Sequence, residues 1–71
     1  MPLRNNVEGY ELSVFSRTCG THWQGFVRIA GPGGEQLQTV ETAARHATRV
    51  DAERAALTIA TDWVRLRVAS E

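Results

Sequence analysis

Cys19-Gly20-Thr21-His22 sets the only cysteine of the chain three residues before one of its two histidines. A thiolate and an imidazole at that spacing can share a metal ion, with His46 as a third ligand. A structural zinc site needs four ligands, usually from two such pairs, and no second pair exists here. The same two side chains would act as nucleophile and base only with the thiol and imidazole in line, which a tight turn between them opposes. Ser13, Ser16 and Ser70 lie in no G-x-S-x-G context. The acidic residues are scattered, with no two placed as an acid–base pair. All eight basic residues are arginine, so a P-loop clamp, a Schiff base and a lysine base are excluded. Gly31-Pro32-Gly33-Gly34 has neither a lysine nor a following helix start and reads as a turn, not a phosphate loop. The expectation is a protein that is not an enzyme and uses no cofactor and no metal.

A second group of residues suits binding. Phe15, Arg17, Gln24, Phe26 and Arg28 fall, with Gln38, on one side of an alternating pattern. Two aromatic rings beside two arginines on an open sheet can stack on bases and touch phosphates. Glu11 shares that face, and the formal charge of the whole chain is zero, with eight basic and eight acidic side chains. Nucleic-acid binders usually carry a basic excess. Nucleic-acid binding through this face is therefore the alternative expectation.

The elements that must position these groups follow from periodicity. Glu8–Ser16, Trp23–Ala30 and Gln36–Thr42 read as strands, and Thr48 to about Val68 reads as a helix. The fold class expected is α+β: a three-stranded antiparallel sheet packed on one C-terminal helix, β-β-β-α. Residues 1–7 read as a flexible leader, and residues 8–71 as a single domain. Tyr10, Leu12, Val14, Trp23, Val27 and Ile29 share the face expected to meet the helix. Gly25 lies on that same side, where its missing side chain admits a large neighbour. In the third strand Leu37 and Val40 fall on opposite faces, so either a bulge intervenes or one is exposed. Thr48 followed by Asp51 suits a helix cap, and Arg65 and Arg67 suit the far end of the helix dipole.

The ladder Ala52, Ala55, Ala56, Ile59, Ala60, Trp63 and Leu66 forms the expected main helix face, with Trp23 and Trp63 buried between the layers. A second apolar stripe, Val50, Leu57, Val64 and Val68, lies outside it and is the expected protein interface. On that reading Leu57→Glu and Val64→Glu weaken assembly and spare folding.

Seventy-one residues make one domain, and a chain this short hides only about 60% of the surface its unfolded form exposes. Disulfides, metals or oligomerisation usually compensate. One cysteine excludes an internal disulfide, which raises the prospect of a homodimer or of docking on another protein. The polar start lacks the apolar core of a signal peptide, and no apolar run approaches the ~20 residues of a membrane span. A lone cysteine agrees with a reducing compartment, so a cytoplasmic location is expected.

The stretch Trp23-Gln24-Gly25-Phe26-Val27-Arg28-Ile29-Ala30, with Gly34-Glu35 and Glu41 after it, resembles the second and third strands of small bacterial β-β-β-α domains of unknown function, the YegP-like domains. The resemblance implies the fold and a pairing of β-β-β-α units, and no catalytic residues. In architecture alone the order is similar to the sheet-reading DNA-binding domains of plant ethylene-response factors and phage integrases. The reading that follows is a small non-enzymatic protein-interaction domain of bacterial type, homodimeric or docked on another protein.

Overall fold

A computed structural model describes residues 3–43 and 45–70; residues 1–2 of the expected leader, residue 44 of the connector and residue 71 lie outside the described residues. The chain runs β1 (Leu3–Val7), β2 (Tyr10–Cys19), β3 (His22–Ala30), β4 (Gln36–Glu41) and α1 (Arg49–Ser70). The fold is α+β, an antiparallel sheet packed on one C-terminal helix, with the strands in the order β1-β2-β3-β4.

The sheet has four strands rather than three, because residues 3–7, expected as a leader, form an edge strand. Glu8 and Gly9 both take positive φ, 52° and 84°, as a two-residue type I′ hairpin requires. The turn opposes Val7 to Tyr10 and runs the pairing back to Leu3 and Val14. Asn5 and Asn6 mask this strand in the sequence, but an edge strand tolerates polar residues. The turn also takes Glu8 out of the expected first strand. Gly20 (φ 64°) and Thr21 make the next hairpin turn, which leaves Arg17 and Thr18 in the strand and sets Cys19 opposite His22.

Between β3 and β4 the ladder slips: Ile29 faces Gln38 and Ala30 faces Gln36, so Leu37 is the extra residue of a bulge. The bulge answers the alternation problem of this strand. Leu37 and Val40 both pack against the core. Gly31 and Glu35 close the loop, Gly31 N–H donating to the Glu35 carbonyl at 2.8 Å.

The core is the inner face of β2 and β3, Tyr10, Leu12, Val14, Val27 and Ile29, against Ala56, Ala60 and Val64 of α1. The helix starts on a Thr48 cap whose hydroxyl accepts from Asp51 N–H at 3.2 Å. Its first turns rest on the smallest surface of the sheet. A Cβ on Gly25 would lie 2.1 Å from the Ala52 carbonyl oxygen and 3.0 Å from Ala56 Cβ. Gly25 thus admits the helix backbone itself, not a large side chain. Thr42, buried beside it, accepts from Gly25 N–H through Oγ1 (3.2 Å) and donates its own N–H to the Gly25 carbonyl (3.0 Å). Ser16, the register partner of Gly25, donates to Glu53 Oε2 at 2.9 Å and ties sheet to helix.

The helix is turned from the expected orientation. Its buried residues are Ala52, Ala56, Ala60 and Val64, one every fourth position. Ile59 and Leu66 of the expected main face are exposed instead, at 40% and 71%. The close approach at Gly25 and Ala52 fixes this rotation, because only alanine at 52, 56 and 60 lets the backbones come so near. Trp63 packs against the core from its edge, and both it and Trp23 are half-buried.

Filling Gly25 overpacks the contact against backbone that has no rotamer to yield. Gly25→Ala should lower the unfolding free energy by about 3 kcal/mol, the upper end for overpacking. Urea unfolding followed by far-UV circular dichroism measures this, and a loss below about 1 kcal/mol refutes the constraint.

Candidate functional site

The helix covers one face of the sheet and leaves the other open. On the open face, register places side chains in rows across the strands. Arg17 and Gln24 form one row, and Phe15, Phe26 and Glu41 the next. Arg4, Ser13, Arg28 and Thr39 follow, then Asn6, Glu11, Ala30 and Gln36. All five residues expected to bind nucleic acid, Phe15, Arg17, Gln24, Phe26 and Arg28, therefore lie together in three adjacent rows.

Their side chains engage each other. The Phe15 and Phe26 rings stack with centroids 5.2 Å apart and planes 12° apart. The Arg28 guanidinium carbon stands 5.1 Å from the centroid of Phe15, a cation–π contact. Arg17 Nη2 donates to Gln24 Oε1 at 3.2 Å, and Gln24 Nε2 donates to the Thr42 carbonyl at 3.1 Å. Gln38 does not join them: the bulge sets it opposite Ile29, at an inner-face register position where it is exposed. Arg4 reaches Glu11 at 3.8 Å across β1 and β2, both side chains largely exposed. The face thus carries Arg4, Arg17 and Arg28 against Glu11 and Glu41.

Beside the phenylalanines the face dips into a depression of about 280 Å³. Ser13 and Ala30 are the small residues of its floor, and Arg4, Phe15, Arg28 and Gln36 stand around them. Arg4 and Thr39 join Ser13 on this face only through the first strand and the register of the fourth, neither of which the alternation pattern reveals. The Glu8-Gly9 pair is the signal that would have supplied the strand.

On the helix the four residues of the expected interface part company. Val64 is fully buried in the core of this chain and cannot meet a partner. Leu57 and Val68 are half-buried and pack against that core, and Val50 is 56% exposed. Val64→Glu should therefore unfold the domain, which a loss of the far-UV circular dichroism spectrum would record, rather than spare it. Val50 and Leu57 still line a groove of about 260 Å³ with Val14 at its base and Glu53 and Arg54 at its rim.

The Cys19 thiol lies 3.8 Å from Gln24 Oε1, and His22 Nδ1 lies 3.1 Å from the Thr21 hydroxyl. His46 is on the far side of Trp23, bridged to it through backbone bonds of 2.7 and 2.9 Å. Among the described residues no three His, Cys, Asp or Glu side chains converge on a common point, and no helix is long and apolar enough to cross a membrane.

The stacked rings should be energetically coupled. A double-mutant cycle of Phe15→Leu and Phe26→Leu should give a coupling of about 0.5–1.5 kcal/mol in unfolding free energy. Additive losses would show that the two rings are neighbours without a mutual contribution.

No protein-family model, curated protein or solved structure matches this chain.

Proposed function

We propose that this protein is a small non-enzymatic interaction domain that works as a homodimer, joined along the β2-facing flank of its helix. The observation that carries the reading is the groove of Val14, Val50 and Leu57. Its apolar floor is bordered by a carboxylate and a guanidinium on consecutive residues, Glu53 and Arg54. A two-fold axis beside the helix brings Arg54 of each copy towards Glu53 of the other, so the flank is complementary to itself. Zero formal charge removes long-range repulsion between copies. A marginal core without internal disulfide gives the second copy a stabilising role. The pairing of units implied by the YegP-like resemblance is of the same kind.

Nucleic-acid binding at the open sheet face is the second reading, supported by the contiguity of Phe15, Arg17, Gln24, Phe26 and Arg28. Glu11 and Glu41 among them weigh against it. Fluorescence titration with labelled DNA and RNA oligomers at low salt tests it. Binding that falls on Phe26→Ala and Arg17→Ala supports it, and no binding removes it.

Size-exclusion chromatography with light scattering tests the homodimer. The wild-type protein should elute as a dimer at high micromolar concentration. Val50→Glu, at an exposed position, should give a monomer with an unchanged circular dichroism spectrum. A strictly monomeric wild-type particle, or a dimer indifferent to Val50→Glu and to Arg54→Glu, overturns the reading.

A further inference from the structure

The depression on the open face has the donor set of an oxyanion site, and this goes beyond both readings above. Arg4, Ser13, Arg28 and Thr39 are consecutive register partners across all four strands. At about 4.8 Å per strand, the two arginines stand about 10 Å apart at their Cα atoms, with the Ser13 hydroxyl between them. Arg4 and Arg28 line the same depression as Ser13 and Gln36. Guanidinium groups carry donors only; Arg28 rests against the Phe15 ring and Arg4 against Glu11, and a swing of each over Ser13 would give a fork that suits phosphate oxygens. The shape has a plain cause: Ser13 and Ala30 are short, and their neighbours Phe15, Arg28, Arg4 and Gln36 are long.

The charges choose the class of anion. Glu11 already faces Arg4 at 3.8 Å, a loose contact between exposed side chains. Arg28 has no carboxylate partner among the described residues; its contact is the Phe15 ring. A singly charged ligand would only replace Glu11. A phosphate with about two charges at neutral pH engages both arginines at once. The internal phosphates of a nucleic-acid strand carry one charge each and lack this match. We propose that Arg4, Ser13 and Arg28, with Gln36 beside them, bind a phosphate dianion, free or as the monoester of a small metabolite. The depression lies just below the ~300–1,000 Å³ of small-molecule sites, so the ligand is small. Phe15 and Ala30 offer apolar surface to its carbon skeleton.

Two-dimensional ¹⁵N–¹H spectra of the full chain, titrated at low salt and pH 7.5, test this. The probes are inorganic phosphate, glycerol 3-phosphate and a 5′-hydroxyl oligonucleotide, whose phosphates are all diesters. Saturable shifts should appear at the amides of Arg4, Ser13, Arg28 and Gln36 with the first two probes. Whichever binds tighter shows whether the free ion or the ester is the better ligand. Arg28→Gln and Arg4→Gln should each weaken binding about tenfold, as loss of a charge-assisted contact does. Glu11→Gln should tighten it by about threefold, since it frees Arg4 from a surface pair. That gain is one a merely structural arginine would not give. Arg65→Gln, on the helix, should change nothing. No saturable shift, shifts insensitive to both arginine substitutions, or tighter binding of the oligonucleotide than of either dianion would overturn the proposal.

Discussion

The architecture rests on one close approach: the backbone of Ala52 lies against Gly25, where a single added Cβ would stand 2.1 Å from a carbonyl oxygen. Everything about the helix orientation follows from it. A helix this near a sheet tolerates only small residues on the contacting side, and Ala52, Ala56 and Ala60 meet that demand in successive turns. Where the row of alanines ends, Val64 takes over and completes the core cluster that also holds Tyr10 and Leu12. The polar groups beneath the contact are matched as well, Thr42 serving the Gly25 backbone and Ser16 serving Glu53. A buried glycine amide without such a partner would be a substantial penalty.

Rotation of the helix decides what remains outside. Turning Val64 inward removes the middle of a stripe that looks continuous on a helical projection. What is left is a short groove at Val50 and Leu57 on one flank, with Ile59 and Leu66 exposed elsewhere on the helix. The sheet is unaffected, since its faces are set by alternation and by hairpin register. Its open side therefore keeps the phenylalanine pair at the centre, on the two middle strands.

Much of this was legible in the residues. Alternation from Tyr10 to Val14 and from Val27 to Ile29 identified the inner face. The Gly31–Gly34 turn and the Thr48 cap marked two boundaries that the structure keeps. The departures in the helix share one origin. Patterns report which residues are apolar, not how close two backbones come. Gly25 reads as room for a large side chain, and the ladder of apolar residues puts Ile59 and Leu66 on the packed face with the alanines, whereas both are exposed and Trp63 does reach the core. The first strand was missed for a different reason. Leu3–Val7 holds two asparagines and an arginine, and its identity rests on a turn and on a partner rather than on its own composition. The arginine-lined depression could not be seen without that strand.

The order of elements also governs how the chain is made. The meander pairs neighbours in sequence, whereas the helix that covers it comes last. During synthesis the strands emerge with Leu12, Val14, Val27 and Ile29 uncovered, and they stay so until Val64 has left the ribosome. At about 5–20 residues per second the interval is on the order of seconds. A nascent hairpin sheet with one bare apolar side is a substrate for chaperones and a hazard for aggregation.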